Sequence, residues 1–438
     1  MTKRFAIRKL FLLMSAAGLI CNSSPILASG FQLWELDAVS IGDYHAGHAA
    51  IADDASTSFN NPAGLIRIKN QQVILGAATV LTNFGFKGSV DVDTLGTGPQ
   101  SVTAQGGGFN LVPFGHYAAP ITDTVVFGFS VLVPFGLKTD YGRQSIVRYS
   151  AMLSSLQVID YAPALGIALT NRFSIGFGLD VQRMKGQFNQ TATAIGEDFD
   201  TLSENSGSDT AYGYHLGALY QFSPATRVGL SYHSQVVHHM TGTSTFTGPL
   251  ANDAVGGAQS SPNLKANITL PPVTSLSGFH AVNSTWDIMG SISYVQWDVV
   301  KNIVLQNTSG ILNSASTNTL PITINENYRN SWNYTVGTNY HLNEQWIFRG
   351  GIGYDQTPSN DVDRNLQLPD SNRVILALGG HYQASKAIGL DFGWTHVFSG
   401  NTRINNVTQT VGDETVITNG SVVGNADVYA LQLVWDIA

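Results

Sequence analysis

Few residues in this 438-residue chain have the types and spacing that chemistry requires. Asp53 and Asp54 stand side by side and look like a proton-sharing pair. In a segment of small residues they serve better as backbone caps and as anchors to polar groups nearby. A strand-borne hydrolytic pair needs His and Ser two residues apart on one face. His233-Ser234 and His238-His239 are adjacent, which puts their side chains on opposite faces of a regular strand. Asp91-Val92-Asp93-Thr94-Leu95-Gly96 opens like a calcium loop. It has leucine at the fifth position and no glutamate at the twelfth. There is no glycine-rich phosphate loop. The single cysteine, Cys21, lies in an apolar N-terminal stretch, so the chain beyond it has no means of thiol catalysis, disulfide formation or thiolate metal binding. The expectation is a protein that is not an enzyme, with no catalytic residue, metal or cofactor.

Other residues could shape a path instead. Asn61 is a good helix cap and Pro62 suits the first helical position, so Asn61-Pro62-Ala63 should open a short helix. Val125, Phe127, Phe129, Val131 and Val133 alternate as an apolar face, and Pro134 and Gly136 then interrupt it. Proline cannot donate to a ladder, so Pro134-Phe135-Gly136-Leu137 marks either the strand's end or a local opening. Arg183 and Lys185 come after about ten residues of strand, where phosphates outside the sheet would meet them more readily than a ligand's carboxylate would. Arg227 and Arg349 fall on the opposite, inner face, where Asp53 or Asp54 would be their partners.

The elements that carry these residues are strands. Charged residues are 12% of the chain, aromatics 10%, and there are 45 glycines. A soluble domain averages about 25% charged residues, so much of this surface should face something other than water. No retained apolar run approaches the ~20 residues of a spanning helix. Apolar residues recur at every second position. Phe173, Ile175, Phe177, Leu179 and Val181 share one face, as do Tyr429, Leu431, Leu433, Trp435 and Ile437 in the last strand. Strands of about ten residues with aromatic ends suit a tilted membrane crossing.

Very short links at 122–123, 170–171, 223–224, 283–284, 343–344 and 385–386 alternate with polar stretches at 82–107, 187–210, 241–262, 299–328, 355–371 and 399–425. Six short turns with both ends on one side give about 14 strands: an all-β, transmembrane, antiparallel β-barrel. Residues 1–28 read as a signal peptide, with Lys3, Arg4, Arg8 and Lys9 ahead of an apolar core. Its removal leaves 18 basic against 30 acidic residues, a net charge of -12, which argues against a nucleic-acid partner. Residues 29–68 show neither strand nor helix periodicity and cannot bury a face alone. They are expected to form a plug, or hatch, inside the lumen of a 69–438 barrel.

The plug resembles the N-terminal hatch of the outer-membrane long-chain fatty acid transporter (FadL) family. The matching elements are Gly30-Phe31-Gln32-Leu33, Ala52-Asp53-Asp54-Ala55 and Asn61-Pro62-Ala63. Further matches are Pro134-Phe135-Gly136-Leu137, Leu219-Tyr220 with Arg227 and Tyr232, and Pro369-Asp370 with Arg373 and Gly379. The resemblance implies a monomer in the Gram-negative outer membrane, meeting outer-membrane lipid and lipopolysaccharide. It implies passive uptake of hydrophobic compounds, long-chain fatty acids first and aromatic hydrocarbons second. Phe31 would lie nearest a bound acyl chain, and a kinked third strand, Val125–Tyr141, would open the wall sideways. A polar-solute porin and a surface adhesin working through its loops are the alternatives from other classes.

Overall fold

The alternation is realised inside out. In the segment Phe173–Ala192, Ile175, Phe177 and Leu179 are exposed while Ser174, Asp180 and Gln182 are buried. In Thr415–Ile437, Leu431 is 71% exposed and Gln432 only 3%. A soluble sandwich buries the apolar face, so this reversal marks a wall with lipid outside and a polar lumen inside.

The computed structural model describes residues 30–437, except 195–196, 252–256, 311–318 and 410–414. The expected signal peptide, with its basic residues and Cys21, and Ser29 lie outside the described residues. Nineteen strand segments among the described residues form one antiparallel sheet. Five of them continue another across a short interruption, so the wall has fourteen strands. The first, Gln71–Val92, pairs with the last from Gln71 opposite Ile437 to Val92 opposite Val416, which closes the barrel and leaves no open edge there.

The six short links all fall between consecutive strands at one end, as at Ser223/Thr226 and Ser385/Ile388. Aromatic pairs stand beside them, including Trp286–Tyr340 and Trp346–Tyr382, with ring centres 4.7 and 4.6 Å apart. A second set, such as Tyr294–Trp332 at 4.7 Å, stands toward the far end. Two such girdles flank an apolar band in outer-membrane barrels.

Most of the polar stretches expected as loops are strand. Residues 82–92 pair with 416–426, and 183–192 with 201–210, which carries the ladder well past the apolar band. Their ladder is joined by a sparse apolar face turned inward, Phe84, Phe86, Val90 and Val92 with Met184 and Phe188, set among enough polar and glycine residues to read as loop. The segments 355–371 and 141–152 are largely irregular and fold inward, with Val147, Tyr149 and Leu366 almost fully buried.

The segment from Gly30 to Ile68 fills the lumen. It holds three short helices, Ala38–Asp43, His48–Ile51 and Thr57–Asn60, and a 3-10 helix, Pro62–Arg67. Its position inside the ring is evident from its partners, which come from all round the wall. Plug backbone groups bond to side chains of Gln72, Ser174, His215, Arg227, Ser277, Ser291, Thr395 and Gln432. Close approach needs glycine on both sides: a Cβ on Gly379 would sit 2.6 Å from the Cα of Gly42.

Candidate functional site

The third strand, Val125–Asp140, is where wall and plug meet most intimately. Val125, Phe127, Phe129 and Val131 point outward, but Val133 is buried along with the whole of Leu132–Leu137. The strand does not end at Val133. It continues to Asp140 after a bulge in its pairing with the fourth strand, between Leu132 and Phe135. On its other side the ladder with the second strand stops at Gly115 opposite Val131. Beyond that point the second strand's Phe109–Phe114 stretch pairs only with the first strand. The wall is therefore interrupted between the second and third strands.

The plug occupies the freed edge. Leu33 N donates to the Pro134 carbonyl at 2.9 Å, Gly136 N donates to the Phe31 carbonyl at 2.8 Å, and Gln32 lies opposite Phe135. Proline offers a ladder only its carbonyl, and that carbonyl is the group the plug engages. Behind this short added strand, Phe31 packs edge-on to Trp297 at 4.8 Å and to Phe135 at 6.1 Å, while Gly30 N donates to Asp370 Oδ2 at 3.0 Å.

Next to it lies a cleft of about 660 Å³, a figure that includes the solvent space at its open side. Leu33, Leu36, Phe59, Pro134, Phe135 and Val236 give it an apolar side. His45 and His48 from the plug, with Asp180, Gln182 and His233 from the wall, give it a polar one. Behind that polar side His215 Nδ1 meets Asp180 Oδ1 at 2.6 Å and Nε2 meets the Ser58 carbonyl at 3.0 Å. A carbonyl can only accept, so His215 Nε2 carries a proton toward Ser58, and Nδ1 is closed off by Asp180. His233 stacks on that ring, centres 5.1 Å apart and 16° from parallel. Asp180, His215 and His233 offer ligand atoms within 4.8 Å of one another, but both nitrogens of His215 are engaged as described. Burial pushes His45 and His48 below the ordinary histidine pKa, so both are neutral.

Some residues behave as the sequence suggested. Asn61 caps Pro62–Arg67: its Oδ1 accepts from Ala63 N at 3.1 Å and its Nδ2 donates to the Ala49 carbonyl at 2.6 Å. Asn61, Pro62 and Ala63 are buried between plug and wall and do not line the cleft. Of the four residues at the break, Pro134 and Phe135 line it, whereas Gly136 and Leu137 do not. Phe31 stands just behind, with its neighbours Gln32, Leu33 and Trp34 at the surface of the cleft.

The expected anchoring pairs are different in the structure. Arg227 bonds the plug through carbonyls, Ala50 O at 2.6 Å and Ile51 O, with its guanidinium 3.8 Å over Phe279. Arg349 pairs with Asp391 of the wall at 2.6 Å instead of with the plug. Asp54 accepts from Ser56 N and Oγ, which is a local cap, and Asp53 is exposed. Fixed carbonyls in a lumen answer a guanidinium as well as a carboxylate does, and alternation cannot tell them apart.

His233 and Ser234 both line the cleft, contrary to the opposite-face expectation. The seventh strand is interrupted there, between Thr226–His233 and Val236–Gly248, so alternation lapses at that step. His238 is buried and His239 exposed, as alternation requires. The Asp180–His215–His233 group went unnoticed in the sequence. The only signal for it there was one aspartate on a face otherwise made of Ser174, Gly176, Gly178 and Gln182.

Comparison with known proteins bears on this geometry. The family model described as "Outer membrane protein transport protein (OMPP1/FadL/TodX)" matches residues 19–436. The chain belongs to this family. Outer membrane protein P1 of Haemophilus influenzae is 27% identical, covering 95% of this chain and 97% of that protein. The long-chain fatty acid transport protein of Salmonella typhi is 26% identical over 87% and 90%. Among solved structures, a Pseudomonas aeruginosa FadL homologue superposes with a TM-score of 0.81 at 21% identity, covering 93% of this chain and all of that one. The Pseudomonas putida toluene transporter TodX superposes at 0.69 with 15% identity, covering 92% and 98%. At such identities these two show the fold, a plugged fourteen-stranded barrel. As a member of the OMPP1/FadL/TodX family the chain is a Gram-negative outer-membrane transport protein for hydrophobic compounds, and it is not an enzyme.

Proposed function

We propose that the protein takes up long-chain fatty acids by passive diffusion, holding them in the cleft between plug and wall and releasing them sideways at the third-strand break. The observation that carries this reading is that one segment, Gln32–Trp34, both lines the cleft and abuts the interruption at Pro134. A solute leaving there would pass into the bilayer without crossing water. Each methylene buried on entry is worth about 0.8 kcal/mol, so an acyl chain has reason to leave water for the apolar side. The long-chain fatty acid transport protein of Salmonella typhi, similar across most of the chain, supports fatty acids over aromatic hydrocarbons. Arg183 and Lys185, exposed beyond the apolar band, are placed to meet outer-leaflet lipopolysaccharide phosphates.

The test is labelled oleate uptake in cells lacking their own transporter. Replacing Pro134 and Gly136 together by valine restores the missing donor at 134 and strand propensity at both positions, and uptake should fall at least tenfold with normal barrel assembly. Uptake at the parental rate in that variant rejects the side exit.

A further inference from the structure

We infer that the cleft receives its ligand with an uncharged polar end, an undissociated carboxylic acid or a long-chain alcohol, and discriminates against the carboxylate. This rests on the reading of the cleft as the ligand site and narrows the form of ligand it accepts.

All eighteen lysines and arginines beyond residue 28 lie among the described residues, and none of them lines the cleft. The cations nearest in role are committed elsewhere: Arg227 to the plug carbonyls, Arg349 to Asp391, and Arg373 to Asp355 and Asp370. The titratable groups that do face the cleft are His45 and His48 on the plug, Asp180 on the fifth strand and His233 on the seventh. The third and eighth strands contribute only apolar or hydroxyl-bearing groups such as Pro134 and Ser275. Glu35 lies next to Trp34 on the plug and adds no positive charge.

None of these groups brings a fixed positive charge to a ligand. His215, behind them, is closed off, with one ring nitrogen on Asp180 and the other on the Ser58 carbonyl. His233 stacks on that ring with centres 5.1 Å apart, where an added charge would be poorly solvated. Neutral imidazoles and the amide of Gln182 both donate and accept hydrogen bonds. That set suits a hydroxyl or an undissociated carboxyl group, which also does both. A carboxylate would have to shed its hydration in a partly closed cleft with no cation to replace it, next to Asp180.

The experiment is equilibrium dialysis of radiolabelled decanoic acid and decan-1-ol against the full-length mature protein in lipid nanodiscs, at pH 5 and pH 8. Empty nanodiscs supply the background partition. Decan-1-ol should bind at both pH values with affinities within about threefold, which controls for titration of the protein itself. Decanoic acid should lose more than tenfold in apparent affinity from pH 5 to pH 8, because its undissociated fraction falls by several hundredfold for a carboxyl of pKa near ~4.3. In Asn60→Lys, which introduces a cation at the cleft's edge, decanoate binding at pH 8 should rise at least tenfold with decan-1-ol unchanged. Decanoate held at pH 8 as tightly as at pH 5 overturns the inference while leaving the cleft as the ligand site. Saturable binding of neither compound at either pH overturns the cleft itself.

Discussion

Replacing Phe31 by alanine should release the plug's leading strand from the wall and leave the barrel intact. Phe31 is 1% exposed and is held between Trp297 and Phe135. Removing a buried phenylalanine side chain typically costs about 3–5 kcal/mol. The loss falls on a short segment joined to the wall by two backbone hydrogen bonds and by Gly30 N to Asp370, so it should appear as local opening. Taking ~3 kcal/mol, at 1.36 kcal/mol per decade, the detached population rises about 150-fold. Hydrogen exchange at the Gly136 amide reads this directly, because that donor's partner is the Phe31 carbonyl. The expected result is a roughly hundredfold faster exchange at Gly136, with amides of the first and last strands unchanged and the thermal midpoint of the barrel preserved. Exchange at Gly136 within twofold of the parent would refute the latch. So would an equal acceleration in the closing strands, which would make Phe31 part of the barrel's own core.

Two further outcomes separate plug from wall. Arg227→Met removes charge-assisted bonds to the carbonyls of Ala50 and Ile51, worth about 1.5–3 kcal/mol each. Protease sensitivity of the plug should increase while the barrel's thermal midpoint holds. Arg349→Met instead leaves Asp391, 2% exposed, with only His381 Nδ1 at 3.0 Å and Gln432 Nε2 at 3.1 Å, and should cost about 1–3 kcal/mol of barrel stability, seen as a lowered midpoint with heat-modified gel mobility as the check. Docking of the plug should also weaken with rising pH. Burial lifts the Glu35 carboxyl from 4.5 to about 7, so the docked plug holds this proton more tightly than the free one does. Its contribution is fully present below about pH 4.5 and is lost progressively as pH rises toward 7. Plug proteolysis measured from pH 4.5 to 8 should show this trend, and Glu35→Gln should remove Glu35's share of it.

By itself the sequence determined the number of strands and, over their membrane-crossing parts, which residues share a face, because alternation, proline and short turns act within a few residues of one another. It also marked Asn61-Pro62 as a helix start, since capping is equally local. The low charge content already pointed the apolar face outward, and closure realises it by joining Gln71 to Ile437 and leaving the polar faces with a lumen to enclose. The same holds for Pro134. Its missing donor was plain in the sequence, but its partner lies about a hundred residues away, in Leu33. Asp180, His215 and His233 come from three different strands, and no single stretch of chain could declare that they meet. Arg349 found Asp391 instead of the plug for a related reason: register across neighbouring strands decides which charges touch, and register is a property of the closed sheet.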